Sequence, residues 1–332
     1  MPGGTGRAGF AATDPALSQS VEAGLAEVEA RLREVVAASH PLLTESARHL
    51  VHAGGKRFRP LLALLAAHLG DPASPGVVDA AVVVELTHLA TLYHDDVMDE
   101  ADVRRGAASA NARWTNTIAI LTGDFLFARA SDLTAGLGTE ATHLQAQTFA
   151  RLVEGQIAET AGPAEGEDPV AHHLQVVADK TGSLIATSAR LGALVAGAPP
   201  ADVDTVARFG EVIGVAFQLS DDLIDVLSDT GDSGKTPGTD LREGIHTLPV
   251  LLVLAGDDAA SARLRELLQA DLDDARLAEA LDLLRAHPAM EQARGRLTDC
   301  VLEARSVVSE LPAGPARDAL ASLTDFVLVR TG

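Results

Sequence analysis

Positive charge is scarce in this chain, and so are aromatic rings and sulfur. Against 47 Asp and Glu stand 26 Lys and Arg, a formal net charge of −21. Nucleic acid and anionic membrane surfaces both require clustered positive charge, so neither is expected as a general partner. A phosphate site remains open, because a few local Lys and Arg can oppose the global sign. Aromatics are 3% of the chain, so aliphatic side chains and alanine must fill the core. Apolar residues, at 47%, are ample for that. The single cysteine, Cys300, excludes an intramolecular disulfide framework and a Cys-rich zinc site. A small helix-packing residue is its simplest role. No apolar run of about 20 residues is free of charge or Gly/Pro breaks, so no membrane span is expected. The opening MPGGTGRAGFAATDP lacks the apolar stretch of a signal peptide. A cytoplasmic location is then the default.

Strand signals are also nearly missing. There is no sustained period-two alternation, and the Ala, Leu, Glu and Arg content favours helix. Residues 1–14 are Gly-rich and read as a disordered tail, with helical periodicity setting in near Leu17. Breaks fall at Gly54-Gly55 and at 70–76, 161–169, 197–202, 230–240 and 312–315. Apolar helical pattern resumes after each, as for loops between helices rather than linkers between domains. The expectation is one all-α domain over residues 15–332.

What is present in unusual form is aspartate. HDDVMD at 94–99 and SDDLIDVLSD at 220–229 each contain Asp-Asp-x-x-Asp. On a helix, spacing i, i+1, i+4 puts the first and third carboxylates on one face with the second beside them. Such crowded like charges call for a cation, and hard oxygen ligands select Mg²⁺ or a similar ion. Mg²⁺ held by one or two carboxylates takes its other ligands from water and substrate phosphates. Two clusters therefore point to a bound diphosphate. The first lies at the end of a helix predicted from about Val77 to Asp99, where the helix dipole disfavours negative charge. That weakens, without removing, the alternative of a solvated acidic face.

Cations accompany the clusters. Arg104 and Arg105 precede Gly106, and adjacent arginines diverge and can clamp two anions. His88 lies seven residues before Asp95, on nearly the same face; a lone helical His is more often structural. GGKRFRP at 54–60 joins a helix-ending double glycine to Lys56, Arg57 and Arg59, with Pro60 suited to the next helix's first turn. In DKTGS at 179–183, Lys180 and Thr181 interrupt an apolar helical run, and Gly182 allows a kink. An unpaired Lys there needs a partner, and a phosphate would serve. Gln218 stands one turn before Asp221 and Asp222, and Lys235 lies in the polar loop after the second cluster.

Three patterns are set aside. GTGRAG (4–9) matches a dinucleotide-binding glycine pattern, but no strand precedes it. SGKT (233–236) resembles a P-loop without its first glycine. His172 and His173 point about 100° apart on a helix, so surface polarity is the better reading.

Taken together, GGKRFRP, HDDVMDEADVRRG, the KT of DKTGS, and FQLSDDLID with GKTPGTDLREG resemble the trans-isoprenyl diphosphate synthases, or polyprenyl synthetases. The motifs occur in that family's order over residues 54–249. The resemblance implies an all-α isoprenoid synthase fold with antiparallel helices around a deep central cavity, usually as a homodimer. It implies Mg²⁺, about three ions per site, held by Asp95, Asp96, Asp99, Asp221, Asp222 and Asp225. Arg104, Lys180, Thr181, Gln218 and Lys235 would contact the allylic diphosphate. Gly55, Lys56, Arg59, His88 and Arg105 would bind isopentenyl diphosphate. The implied catalytic set is Asp95, Asp96, Asp99, Lys180, Asp221 and Asp222. One departure stands out: Ile245 occupies the position after Glu-Gly where the family often has Lys, and His246 follows.

Product length would be decided behind Asp95. Residues one to three turns earlier, Thr91, Ala90, Thr87, Val84 and Val83, carry no large aromatic that would plug a tunnel. The segment resembles long-chain synthases, whose product could be the side chain of a respiratory quinone. Phe58, Phe125 or Phe127 could still obstruct it from other helices. A geranylgeranyl diphosphate synthase is the chief alternative. A class I terpene cyclase normally replaces the second Asp cluster and needs no second diphosphate site. A non-catalytic prenyl synthase subunit typically loses the aspartates, and this chain keeps all six.

Overall fold

The computed structural model describes residues 14–228, 237–269 and 272–330. The expected tail, residues 1–13, lies outside them, as does Lys235. The described chain is helical apart from one short hairpin. In order the elements are α1 (Pro15–Val35), α2 (Pro41–His52), α3 (Phe58–Ala67), α4 (Val77–Met98), β1 (Val103–Arg104), β2 (Ala107–Ala108), α5 (Ala110–Arg113), α6 (Asn116–Gly136) and α7 (Thr139–Ala161). Next come α8 (Pro169–Val177), a π-helical turn (Ala178–Gly182), α9 (Ser183–Val195), α10 (Pro200–Leu227) and α11 (Thr239–Arg242). The chain continues with α12 (Leu248–Leu254), α13 (Ala259–Leu268), α14 (Asp274–Ala286), α15 (Ala289–Val308) and α16 (Pro315–Val329).

Helix starts follow local chemistry. Asp14, Thr115, Asp168, Asp258 and Asp273 each accept a backbone N–H from the first turn of the helix they precede. Pro15 and Pro169 occupy a first-turn position whose N–H would have no helical partner. The hairpin pairs Val103 with Ala108 and Arg104 with Ala107. Its two-residue turn places Arg105 at φ 54° and Gly106 at φ 76°, the backbone of a type I′ turn.

The described residues fall into two compact units. One takes residues within Met1–Arg151, Ser183–Gly210 and Val307–Leu323; the other takes Leu152–Gly182, Glu211–Ser306 and Thr324–Gly332. In the first unit, α4 packs against α1, α3, α6 and α9. It is buried all round, from Val77 through Ala80–Leu86 to Tyr93 and Asp96. The chain's only tyrosine, Tyr93, donates to the Ser46 carbonyl and accepts the Leu50 N–H at 3.3 Å, tying α4 to α2. The α3–α9 crossing is closer still, for a Cβ on Gly192 would stand 2.0 Å from the Ala63 carbonyl oxygen.

By length and composition α4 could cross a bilayer, although Asp79 and Glu85 interrupt it. Of its apolar stretch, 67% is buried inside the protein, which makes it a core helix. Phe58 is buried in this unit, and Phe125 and Phe127 pack on its core. Phe127 packs against Phe149 with the rings tilted, their centres 4.1 Å apart.

Candidate active site

The first unit assembles a basic cluster around one buried carboxylate. α2 ends at His52, and Gly54 (φ 82°), Gly55 (φ 146°) and Arg57 (φ 50°) turn the chain sharply into α3. This turn sends the Arg57 side chain inward. It donates to Glu29 and Glu85 at 2.6 Å each and to the Val51 carbonyl at 2.9 Å. Arg57 therefore closes the fold, while Lys56 beside it is exposed. From the hairpin tip, Arg105 reaches back to donate to the Leu50 and Gly54 carbonyls and lies 3.9 Å from Glu85. Gly55 makes this possible: a Cβ there would stand 3.0 Å from the Arg105 guanidinium.

Arg59 and His88 complete the cluster. The Nε of Arg59 is buried without a hydrogen-bond partner. Burial, aided by Arg105, pushes its guanidinium down to about 10 against the partial support of Glu85. The His88 imidazole is pushed well below its ordinary value, first by burial and then by Arg59, Arg105, Arg104 and Arg57. Burial also lowers Arg105. Cations packed this way are poised to gain from a polyanion.

At the end of α4 the aspartates separate in depth. Asp96 is fully buried, Asp95 half-buried and Asp99 exposed as the helix C-cap. Asp96 Oδ1 accepts from Arg104 Nε at 2.5 Å, and Arg104 stands 3.8 Å from Asp99. The two adjacent arginines thus diverge as expected, Arg104 to the aspartates and Arg105 to Glu85. Asp96 Oδ2 is buried with no hydrogen-bond partner. Of the positions behind Asp95, Val84, Thr87 and Ala90 are buried and Thr91 is half-buried. Thr87 donates to Val83 and accepts from Gln145 Nε2 at 2.6 Å.

The second unit carries the remaining motifs. The kink expected at Gly182 is a π-helical turn, and Lys180 and Thr181 lie within it. Lys180 has a protein partner after all: its Nζ donates to Glu159 of α7. Thr181 donates to Gln218 Oε1 at 3.2 Å, and Gln218 Nε2 donates to Asp222 Oδ1 at 3.1 Å. Asp221 accepts from Arg330, whose guanidinium also covers the Phe217 ring at 4.5 Å. Asp225 accepts the Thr239 and Asp240 N–H groups at 3.1 and 3.3 Å, pinning the start of α11. Ile245 is half-buried, its N–H bonded to the Asp240 carbonyl.

The histidine pair also differs from its sequence reading as surface polarity. His172 lies 3.3 Å from Glu167 and 3.1 Å from the Ala158 carbonyl, and His173 Nε2 lies 3.1 Å from Asp222 Oδ2. Helix spacing does separate the two rings, yet each meets a partner from another segment. Glu85, Glu159 and Arg330 were not singled out from sequence, and His173 was set aside there as surface polarity. Glu85 had a signal, a carboxylate inside an apolar helical run. Glu159 and Arg330 had none, since each meets its partner only through tertiary packing.

Among the described residues, no three His, Cys, Asp or Glu side chains are gathered to hold a metal unaided. The donors nonetheless fit a hard divalent cation. They are carboxylates, Asp96 keeps a buried oxygen with no partner, and Mg²⁺ draws most of its ligands from water and phosphate.

Comparison with known proteins bears on the chain as a whole. A family model described as polyprenyl synthetase matches residues 40–284. A nonaprenyl diphosphate synthase of Mycobacterium tuberculosis is 48% identical over 327 residues, covering 98% of each chain. A geranylgeranyl pyrophosphate synthase of Corynebacterium glutamicum, solved with calcium and isoprenyl diphosphate, superposes with a TM-score of 0.87 at 44% identity, covering 97% of this chain and 99% of the other. A decaprenyl diphosphate synthase of Rhodobacter capsulatus gives 0.87 at 35% identity, covering 96% and 99%. With its motifs, its helical fold and these relatives in agreement, this chain belongs to the polyprenyl synthetase family of prenyltransferases.

Proposed function

We propose that this protein is a long-chain trans-polyprenyl diphosphate synthase, condensing isopentenyl diphosphate head-to-tail onto an allylic diphosphate. The observation that carries this reading is the cluster of Arg59, His88 and Arg105. In a chain of net charge −21, three basic groups converge, among them Arg59, whose charged form burial destabilises and whose Nε has no hydrogen-bond partner. A diphosphate would relieve that strain, and Gly55, Lys56, Arg59, His88 and Arg105 are assigned to isopentenyl diphosphate. Arg104, Lys180, Thr181, Gln218 and Lys235 are assigned to the allylic diphosphate. The catalytic domain is assigned to residues 15–332, acting as a cytoplasmic homodimer.

Asp95, Asp96, Asp99, Asp221, Asp222 and Asp225 would hold Mg²⁺, which when bound supplies Lewis-acid stabilisation of the leaving pyrophosphate. Lys180 and Arg104, both assigned to the allylic diphosphate, would stabilise the charge that develops on it and so favour ionisation of the allylic C–O bond. The double bond of isopentenyl diphosphate then attacks the carbocation. A new C–C bond forms, and a proton passes to the departed pyrophosphate. No protein nucleophile takes part. Aliphatic walls, including Val84, exclude water from the cation.

The length assignment rests on α4, where Val84, Thr87, Ala90 and Thr91 present no aromatic ring. A geranylgeranyl diphosphate product is the second reading, favoured by the resemblance to the Corynebacterium enzyme. Incubation with Mg²⁺, farnesyl diphosphate and labelled isopentenyl diphosphate decides. Products well beyond twenty carbons are expected; a stop at twenty would overturn the length, and no elongation would overturn the activity. Thr91→Phe should shorten the products.

A further inference from the structure

In the second unit a hydrogen-bonded chain links the π-helical turn to the second aspartate motif. Thr181 donates to Gln218, Gln218 donates to Asp222 Oδ1, and His173 Nε2 lies 3.1 Å from Asp222 Oδ2. Asp222 is 1% exposed, and the His173 side chain 14%. Asp221 and Asp225 are held differently, by Arg330 and by the backbone of Thr239 and Asp240. Asp222 is thus gripped from both sides by side-chain nitrogens. A carboxylate oxygen has two lone-pair positions, so each can accept an N–H and still face a cation.

We propose that His173 is a positioning residue. It fixes the carboxylate plane of Asp222 and so sets how the second motif receives a divalent cation and its diphosphate. This rests on the assignment of Asp222 as a metal ligand. Without the imidazole, Asp222 keeps Gln218 on one oxygen only, and its other buried oxygen loses its donor. Groups that orient a metal ligand from behind typically change metal affinity by about 10- to 100-fold.

The test uses Mn²⁺ as a paramagnetic substitute, with inorganic pyrophosphate, and counts free Mn²⁺ by electron paramagnetic resonance. His173→Ala should weaken Mn²⁺ binding by about 10-fold or more and raise the Mg²⁺ concentration needed for half-maximal turnover. The KM for isopentenyl diphosphate should stay within about twofold of wild type, because its proposed ligands all lie in the first unit. His173→Phe, which fills the space without an N–H, should behave like His173→Ala. His173→Gln, which can present an amide N–H, should recover most of the affinity. Wild-type Mn²⁺ binding in the Ala and Phe variants would overturn the proposal. So would a loss that Gln fails to restore and that comes with a lower unfolding temperature and an equal rise in both KM values. Absence of prenyl elongation by the wild type would count against the proposed function alone, since Mn²⁺ binding is read without turnover.

Discussion

Glu85, at 2% exposure, sits in an otherwise apolar stretch of α4, and Arg57 and Arg105 answer it. Arg57 is satisfied by Glu29, Glu85 and Val51, so it stabilises the turn into α3. Arg59 and His88 share the neighbourhood without such satisfaction. The consequence for His88 can be measured in the free protein. Its folded-state pKa lies well below 6.5, so the unfolded chain takes up a proton that the folded one refuses. Stability from this residue is therefore complete above about pH 6.5 and is lost as pH falls below it. His88→Asn should flatten that part of the stability profile. Urea unfolding at pH 7.5 and 5.5 checks it: the wild type should lose more stability between the two than the variant. Equal losses would show that neither burial nor the neighbouring arginines hold His88 neutral.

At the scale of elements, small residues and irregular turns do the positioning. Gly192 lets α9 cross α3 against the Ala63 carbonyl, where backbone faces backbone. Gly192→Ala should cost about 1–3 kcal/mol through overpacking, read as a lower urea midpoint with an unchanged slope. Gly123 offers the control. An added Cβ there meets only the end of the His94 ring, at 2.3 Å, and a side chain can swing away. Gly123→Ala should cost less. The type I′ hairpin and the π-helical turn act on direction instead. The hairpin aims Arg104 and Arg105 apart, and an inserted residue in a helix re-aims its neighbours, here Lys180 and Thr181. The sequence marks both places, through Arg-Arg-Gly and Lys-Thr-Gly. Neither pattern specifies the backbone form, because a two-residue strand and a single π turn leave no periodicity to read.

For the whole chain, a charge of −21 means that bound cations relieve self-repulsion as well as serving chemistry. The helical core is packed by aliphatic side chains and alanine, so chelation should leave far-UV circular dichroism unchanged. Mg²⁺ with pyrophosphate should raise the unfolding temperature, by mass action on the folded state alone. At about 100-fold excess over its dissociation constant the gain is about 2.7 kcal/mol. Thermal scans with Mg²⁺, with pyrophosphate and with both check this, and only the pair should give the full rise. A loss of helix on adding chelator would contradict it.

Fold class and the order of the candidate motifs were legible in sequence because each depends on local spacing. Asp-Asp-x-x-Asp places carboxylates by helix geometry alone, and the helical pattern runs through most of the chain. Partnerships were not legible, because burial and long-range pairing carry no periodic trace. That Lys180 meets Glu159, that His173 meets Asp222 and that Arg330 meets Asp221 follow from helices distant in sequence packing together. The composition declared an acidic, aliphatic, all-helical protein with two aspartate motifs. Only tertiary packing decided that Asp96 is buried while Asp99 is exposed, and that Arg57 is satisfied by Glu29, Glu85 and Val51 while the Nε of Arg59 is left buried without a hydrogen-bond partner. The physical reason is desolvation: the same side chain is structural or reactive according to which partners share its burial.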